Sequence, residues 1–280
     1  MTRTQVEKVT IWILRVLGFA FFISVVAFPF YWMLLSSIKP LEEIIAFPPN
    51  LGISRIDLNS YREVLFERSF LRFIGNSVYV SSLTVLLTVS LATLGAYAIT
   101  RLQFRGKEVM SRSILLIYMF PAIVLVIPLY VLFSRLGIRD SVNGLILVYL
   151  AQTIPVALYM LKSYFQTLPV DLEEAGLIDG LSRVGVIWRI TIPLSLPAMA
   201  SVALYTFMIA WNEFLFAFIF LDTPDKFTLS RGIVQLFNSI HLSWQLVMAA
   251  SVIATVPIIL LFLLFERYLV KGLTAGGVKG

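Results

Sequence analysis

The sequence predicts an all-α polytopic membrane protein with six transmembrane helices, and three observations carry that prediction. Of the 280 residues, 59% are hydrophobic and only 14% charged, and the mean hydropathy of +0.90 lies well outside the soluble range. Six apolar stretches, at about 11–36, 73–100, 113–134, 143–165, 196–221 and 247–270, reach the roughly 20 residues that a helix needs to cross a bilayer. They are too long and too continuously apolar for barrel strands, and an open sheet edge in lipid would leave backbone groups unpaired, so each must be a helix. Residues 1–280 therefore read as one transmembrane domain.

The first stretch follows Arg3 and Lys8 as a signal peptide would, but its apolar run continues to about Leu35 with no small-residue cleavage pattern, which makes it a retained span. After it comes a loop with the rigid turn Pro48-Pro49. Leu58, Tyr61, Val64, Leu65 and Phe70 then recur near helical spacing, predicting a short helix on the membrane surface. Orientation follows from the basic residues. The short loop RLQFRGKEVMSR holds Arg101, Arg105, Lys107 and Arg112, against Arg135 and Arg139 in the opposite loop SRLGIRDS, so the positive-inside rule puts the former, and with it both termini, in the cytoplasm. Pro29, Pro121, Pro128, Pro155 and Pro257 fall inside spans, where bundles tolerate kinks because neighbours re-satisfy the freed carbonyls.

Composition also excludes functions. The net charge of +6 is scattered between apolar runs instead of forming a basic stripe, so no nucleic-acid reading survives. With no cysteine and a single histidine, His241, the chain has no disulfide, no thiolate nucleophile and no plausible metal cluster. It also lacks G-x-S-x-G and a base on a facing span, which removes the usual hydrolase arrangement.

The informative segment is 166–195, cytoplasmic in this orientation. Within it DLEEAGLIDGLSRVGVIWRITIP holds six charged residues between apolar spans. Asp171 and Glu174 have the D-x-x-E spacing of a capping box, predicting a short helix from near Leu172. Gly180 can end it in the left-handed conformation, and Ser182 can cap a second helix running to about Ile190 before Pro193. In that second helix Val184, Ile187, Trp188 and Thr191 share a face suited to packing near the membrane. In the first, Ala175 and Gly176 form a flat surface flanked by Glu173, Glu174 and Asp179, which lets a partner's backbone come close and offers carboxylates to its basic groups. The alternative is a hairpin resting on lipid, but anionic lipid favours bases and this half has four acids and none.

The segment resembles the loop that marks permease subunits of ATP-binding-cassette importers, with its E-A-A, two residues, D-G, nine residues, I-x-L-P. Glu174-Ala175-Gly176, Asp179-Gly180 and Ile190-Thr191-Ile192-Pro193 fall at that spacing, with Gly176 and Ile192 as departures. FPFYWMLLSSIKP, WNEFLFAFIFL and the tail GLTAGGVKG are further similar to carbohydrate-importer subunits of the maltose-permease type. The resemblance implies a cytoplasmic coupling helix between spans four and five, with Glu173, Glu174, Ala175, Gly176, Asp179, Gly180, Ile190 and Pro193 coupling the chain to an ATPase. It also implies that the tail at 271–280, through Gly276 and Gly277, contacts that ATPase. The partners it implies are a second homologous permease forming a heterodimer, two cytoplasmic ATP-binding subunits, an extracytoplasmic substrate-binding protein, membrane lipid and a sugar such as an oligosaccharide or glycoside. The chain has no G-x-x-x-x-G-K-[ST] phosphate loop, so it holds no cofactor and no metal of its own, and ATP and Mg would be used by the ATPase partners.

Asn212 and Glu213 lie in the aromatic stretch FMIAWNEFLFAFIF. A carboxylate inside a span costs roughly 2.5–3.5 kcal/mol on insertion scales, so it either lines a translocation path or is paired to fix helix packing. Both readings stand at the level of sequence. A secondary transporter of a small polar solute is the rival reading, against which stand a lone buried acid and the lack of an evident internal repeat.

Overall fold

The computed structural model describes residues 3–48, 50–237 and 243–275, and every regular element among them is helical. In chain order these are α1 (Arg3–Ser37), α2 (Leu41–Ile44), α3 (Asn59–Arg62, continued by a π turn at Glu63–Glu67), α4 (Phe70–Arg101), α5 (Lys107–Met119) and α6 (Ala122–Arg135). There follow α7 (Val142–Phe165), α8 (Val170–Ile178), α9 (Arg183–Val186, continued by a π turn at Ile187–Thr191), α10 (Ile192–Asn212), α11 (Leu215–Phe220), a 3₁₀ turn at Pro224–Lys226, α12 (Leu229–Phe237) and α13 (Trp244–Ala275). Among the described residues, five helical runs are long and apolar enough to cross a membrane: Ile11–Ser37, α4, α7, Arg183–Asn212 and Trp244–Glu266. The bent pair α5–α6 makes a sixth if counted as one span.

Two spans differ from the sequence expectation. The stretch 113–134 is not one helix: α5 and α6 meet at 96°. Phe120, with ψ at 123°, is extended because the ring of Pro121 disfavours helical geometry in the residue before it. The fifth span was expected at 196–221, but its helical run starts at Arg183 and ends at Asn212. Pro193 lacks the N–H for a bond to Arg189, and its ring would clash with that carbonyl. The helix accommodates it by widening: Ile192 N–H reaches back five residues to the carbonyl of Ile187, and the chain passes from hairpin to span without a break.

The chain divides into two compact units. The first comprises residues 1–70 and 233–255. Its loop is held by polar contacts near the end of α1: the Ser37 hydroxyl meets that of Tyr61 at 2.7 Å, Asp57 N–H donates to Ile38 O at 2.8 Å, and the Tyr31 hydroxyl donates to Leu51 O at 2.8 Å. Lys39 is buried, donating to Asn50 O, while the Gln245 amide donates to the Lys39 carbonyl.

The second unit comprises residues 71–232 and 256–280. Its backbone is the pair α4 and α7, which run parallel. The Tyr79 hydroxyl donates to Asn143 Oδ1 at 2.9 Å, Thr88 and Thr153 hydroxyls meet at 2.8 Å, and Arg101 donates to Phe165 O at 2.9 Å. The sequence separations are 64, 65 and 64 residues, so the two helices keep one register over their length. Small residues permit the approach: a Cβ on Gly95 would lie 2.6 Å from Leu158 Cδ2, and buried Ala92, Ala96 and Ala157 pack with Leu161, Phe165, Ile187 and Val202.

Candidate functional site

The polar segment folds as two helices around a glycine turn. α8 starts at Val170 after extended Pro169, two residues ahead of the expected start, and has no side-chain cap, so the D-x-x-E pair does not act as a capping box. Asp171 and Glu173 sit instead in its first turn, where negative charge complements the helix dipole. At the other end Gly180 has φ of +88°. Gly180 N–H donates to Leu177 O at 3.1 Å and Leu181 N–H to Gly176 O at 3.0 Å, the paired bonds of a Schellman motif. The Ser182 hydroxyl then accepts from Gly185 N–H at 3.2 Å and caps α9.

Burial separates the residues singled out in the sequence. Glu174, Ala175, Asp179 and Gly180 are exposed, together with Ile178 at 86%. Glu173, at 5%, and Gly176 face inward. The small size of Gly176 serves the chain's own packing: a Cβ there would lie 2.5 Å from Ile190 Cδ1 and 3.5 Å from Val186 Cγ2. The second half also presents a different face from the one expected. Val186, Ile187 and Thr191 are buried, while Val184 and Trp188 are exposed at 63% and 66%. Pro193, just beyond the π turn, is exposed.

Glu173 forms a buried ion pair with Arg101, the last residue of α4. Nε to Oε1 is 3.0 Å, and the side chains are 7% and 9% exposed. The same guanidinium donates through Nη2 to the carbonyls of Phe165 at 2.9 Å and Leu168 at 3.1 Å, and the Thr191 hydroxyl approaches Glu173 Oε1 at 3.4 Å. Arg101 counted in the sequence only as one cation of a basic loop. Its partner lies 72 residues away, and only an arginine at the very end of a span hinted at a special place.

Asn212 and Glu213 mark the end of α10. Glu213 is extended, with ψ of 123°, and its carboxylate accepts from Phe216 N–H at 2.9 Å, Ala217 N–H at 3.2 Å and the Tyr149 hydroxyl at 2.8 Å. It thus stops one helix and starts the next, α11, while tying both to α7. Its carbonyl accepts from the Ser230 hydroxyl at 2.6 Å. Asn212 is exposed, and its amide donates to Met208 O at 2.9 Å.

A third polar group, which the sequence did not flag, joins the α6–α7 loop to residues 222–226. The Asp140 carboxylate accepts from Lys226 Nζ at 2.7 Å, the Thr223 hydroxyl at 2.6 Å, and the N–H groups of Asp222 at 2.9 Å and Thr223 at 3.1 Å. Arg139 beside it pairs with Asp222 and lies over the Tyr130 ring. Burial of Asp140 raises its pKa, but the Lys226 and Thr223 hydrogen bonds and the Lys226 charge outweigh that and hold it below the usual range. Gly276 and Gly277 of the tail lie outside the described residues.

Known proteins are similar to this chain over most of its length. The family described as "Binding-protein-dependent transport system inner membrane component" matches residues 85–275, a span that includes the hairpin and α4 from its midpoint onward. The inner membrane ABC transporter permease protein YcjP of Escherichia coli (strain K12) is 42% identical over 265 residues, which cover 94% of this chain and 95% of that one. The trehalose/maltose transport system permease protein MalG of Thermococcus litoralis (strain ATCC 51850 / DSM 5473 / JCM 8560 / NS-C) is 39% identical over 278 residues, covering 98% and 99%. Among solved structures, a chain of a bacterial ABC transporter that imports the acidic polysaccharide alginate superposes with a TM-score of 0.82 at 20% identity, covering 96% of this chain and 99% of that one.

Proposed function

The chain belongs to the family of binding-protein-dependent transport system inner membrane components, and from that premise we propose that it is the permease subunit of an ATP-driven carbohydrate importer. It sits in the inner membrane with several spans. The sugar reading comes from the trehalose/maltose relative, with which it shares nearly its full length. Both termini are cytoplasmic, and the chain is non-catalytic. Hydrolysis of ATP with Mg belongs to two ATPase subunits, a second, related permease completes the transmembrane part as a heterodimer, and an extracytoplasmic protein delivers the sugar.

The observation that carries this reading is the hairpin. Its exposed face sets Glu174, Ala175 and Asp179 beside the apolar Ile178, a small, acidic, partly apolar surface fit for a cleft on the ATPase. Shifting a conformational equilibrium from 1:99 to 99:1 requires about 5.5 kcal/mol of differential binding. Burying on the order of 300 Å² of apolar surface at about 25 cal/mol/Å² supplies roughly 7 kcal/mol before ordering costs, enough for a mechanical link. Closure of the ATPase dimer on ATP moves α8, and the spans switch the path from inward-facing to outward-facing; hydrolysis resets them. Gly276 and Gly277 extend the contact along the ATPase. Asn212, exposed at the end of α10, is the residue of its pair free to line the path, while Glu213 shapes that wall by holding the break.

The test is a cross-link. With cysteine at position 174 in this naturally cysteine-free chain, a bond to a cysteine in the ATPase cleft should form and change in yield with nucleotide. An assembled complex that gives no such bond in any nucleotide state would overturn the docking role of this face. The sugar is identified by which labelled saccharide the cognate binding protein retains.

A further inference from the structure

The first helix of the hairpin, α8, is held to the spans by the Arg101 guanidinium, while its second half packs on α4 through Ile187 and bonds Tyr97 through Arg183. Arg101 ends α4, its Nε reaches Glu173 of α8 at 3.0 Å, and its Nη2 reaches the carbonyls of Phe165, the last residue of α7, and of Leu168 in the turn that follows. The end of α4 thus meets α7 and α8, 64 and 72 residues further along, at this side chain, and Thr191 of the π turn leans on the same carboxylate. The fork of the guanidinium makes this possible: it donates in fixed directions to acceptors on different elements, whereas a lysine ammonium is a single point of charge.

Such a pair is a poor source of stability, because removing two charges from water costs about as much as their attraction returns. Its use is better sought in geometry. α4 and α7 already run in one register and are bonded at Tyr79–Asn143 and Thr88–Thr153, so a group that holds both at one end moves them as a pair. Without it, α8 would reach α4 only indirectly, through the second half of the hairpin, where Ile187 packs with Ala92, Ala96 and Tyr97 and Arg183 bonds to Tyr97, and would reach α7 and α10 along the chain.

We propose that Arg101 is a positioning residue for coupling: it passes displacement of α8 into α4 and α7 together, through Glu173. This rests on the reading that α8 docks on an ATPase. The inner-facing glutamate of the hairpin then differs in role from its neighbour Glu174, one gripping the permease and the other meeting the motor.

The experiment uses the complete complex, with partner permease, ATPase subunits and binding protein, reconstituted in vesicles in which sugar uptake and ATP hydrolysis are measured together. In Arg101→Lys the charge opposite Glu173 remains but the fork is lost. Hydrolysis should stay within about twofold, while uptake per ATP falls about tenfold, the scale of one charge-assisted hydrogen bond. Glu173→Gln, which keeps an acceptor for Nε, should lower the same ratio by a smaller factor. A residue that served only to fold the protein would reduce the number of working complexes and leave uptake per ATP unchanged. An unchanged ratio in Arg101→Lys, or in Glu173→Gln if the lysine variant does not assemble, overturns the proposal, whether both rates are normal or both fall. If the unaltered permease purifies without any ATPase, the docking reading beneath the proposal fails instead.

Discussion

Gly176 separates two uses of a small residue, and its substitution can be worked from distances. An alanine Cβ there would lie 2.5 Å from Ile190 Cδ1, 3.4 Å from Leu181 Cδ1 and 3.5 Å from Val186 Cγ2. Only the first is too close, and it is a terminal methyl that can turn aside for about 0.5–1.5 kcal/mol. Against that, alanine is favoured over glycine inside a helix by about 0.8–1.0 kcal/mol. The two nearly cancel, so Gly176→Ala should leave stability close to that of the parent. Gly176→Val adds two more methyl groups to the same space and should cost about 1–3 kcal/mol of overpacking. Thermal unfolding of the detergent-solubilised protein, followed by tryptophan fluorescence, gives the order, with Ala175→Val as an exposed control that leaves stability alone but weakens ATPase binding. A valine at 176 that is as stable as the parent, or an alanine as damaging as the valine, would show that this glycine does not pack on the π turn.

A Cβ added at Gly180 would meet nothing within 4 Å, so substitution there tests the backbone only. Gly180→Ala should cost about 1–2 kcal/mol in the left-handed region, Gly180→Asn less, and Gly180→Val more, with uptake falling in the same order; equal unfolding midpoints for glycine and valine would contradict the Schellman turn. Glu213→Ala leaves the buried Tyr149 hydroxyl without its acceptor, at about 1–3 kcal/mol. Combining it with Tyr149→Phe should cost less than the two single changes summed, and additivity in that double-mutant cycle would mean that the pair does not act together. Asp140 gives a pH signature. Because its folded pKa is depressed, its stabilising contribution is present above the unfolded value of about 3.9 and disappears as pH falls through the folded value. Asp140→Asn should therefore be less stable than the parent at pH 7, with the gap closing below about pH 4; a gap independent of pH would assign the difference to packing.

Local chemistry was readable residue by residue. The turn at Gly180 and the cap at Ser182 depend on the conformational freedom of glycine and the acceptor of a serine hydroxyl, both properties of single positions. The break at Phe120 has an equally local cause, the proline after it, although the apolar run 113–134 reads as one span. Where neighbours compete, a single position does not decide the outcome. Pro193 was expected to stop a helix, but a widened turn satisfies the same steric demand and lets α9 run on into α10. The face expected of Val184, Ile187, Trp188 and Thr191 also divides, since Ile187 and Thr191 are buried and Val184 and Trp188 exposed. Glu173 and Glu174 are adjacent and chemically alike, and nothing in their own neighbourhood says which turns inward. That was settled by Arg101, 72 residues earlier.

Composition and hydropathy alone suffice for an all-helical membrane protein, because lipid accepts no unpaired backbone and so leaves a long apolar run no other structure. The order of residues was further sufficient for a hairpin of acids and small residues, since caps and turns draw only on groups a few positions apart. Pairings across the bundle were decided by the fold. Arg101 with Glu173, Tyr149 with Glu213 and Asp140 with Lys226 each join residues 64 or more positions apart, brought together by parallel packing of α4 on α7 and by the break at Asn212. A buried charge must find its partner wherever packing places one, and that location is a property of the assembled helices and of no segment by itself.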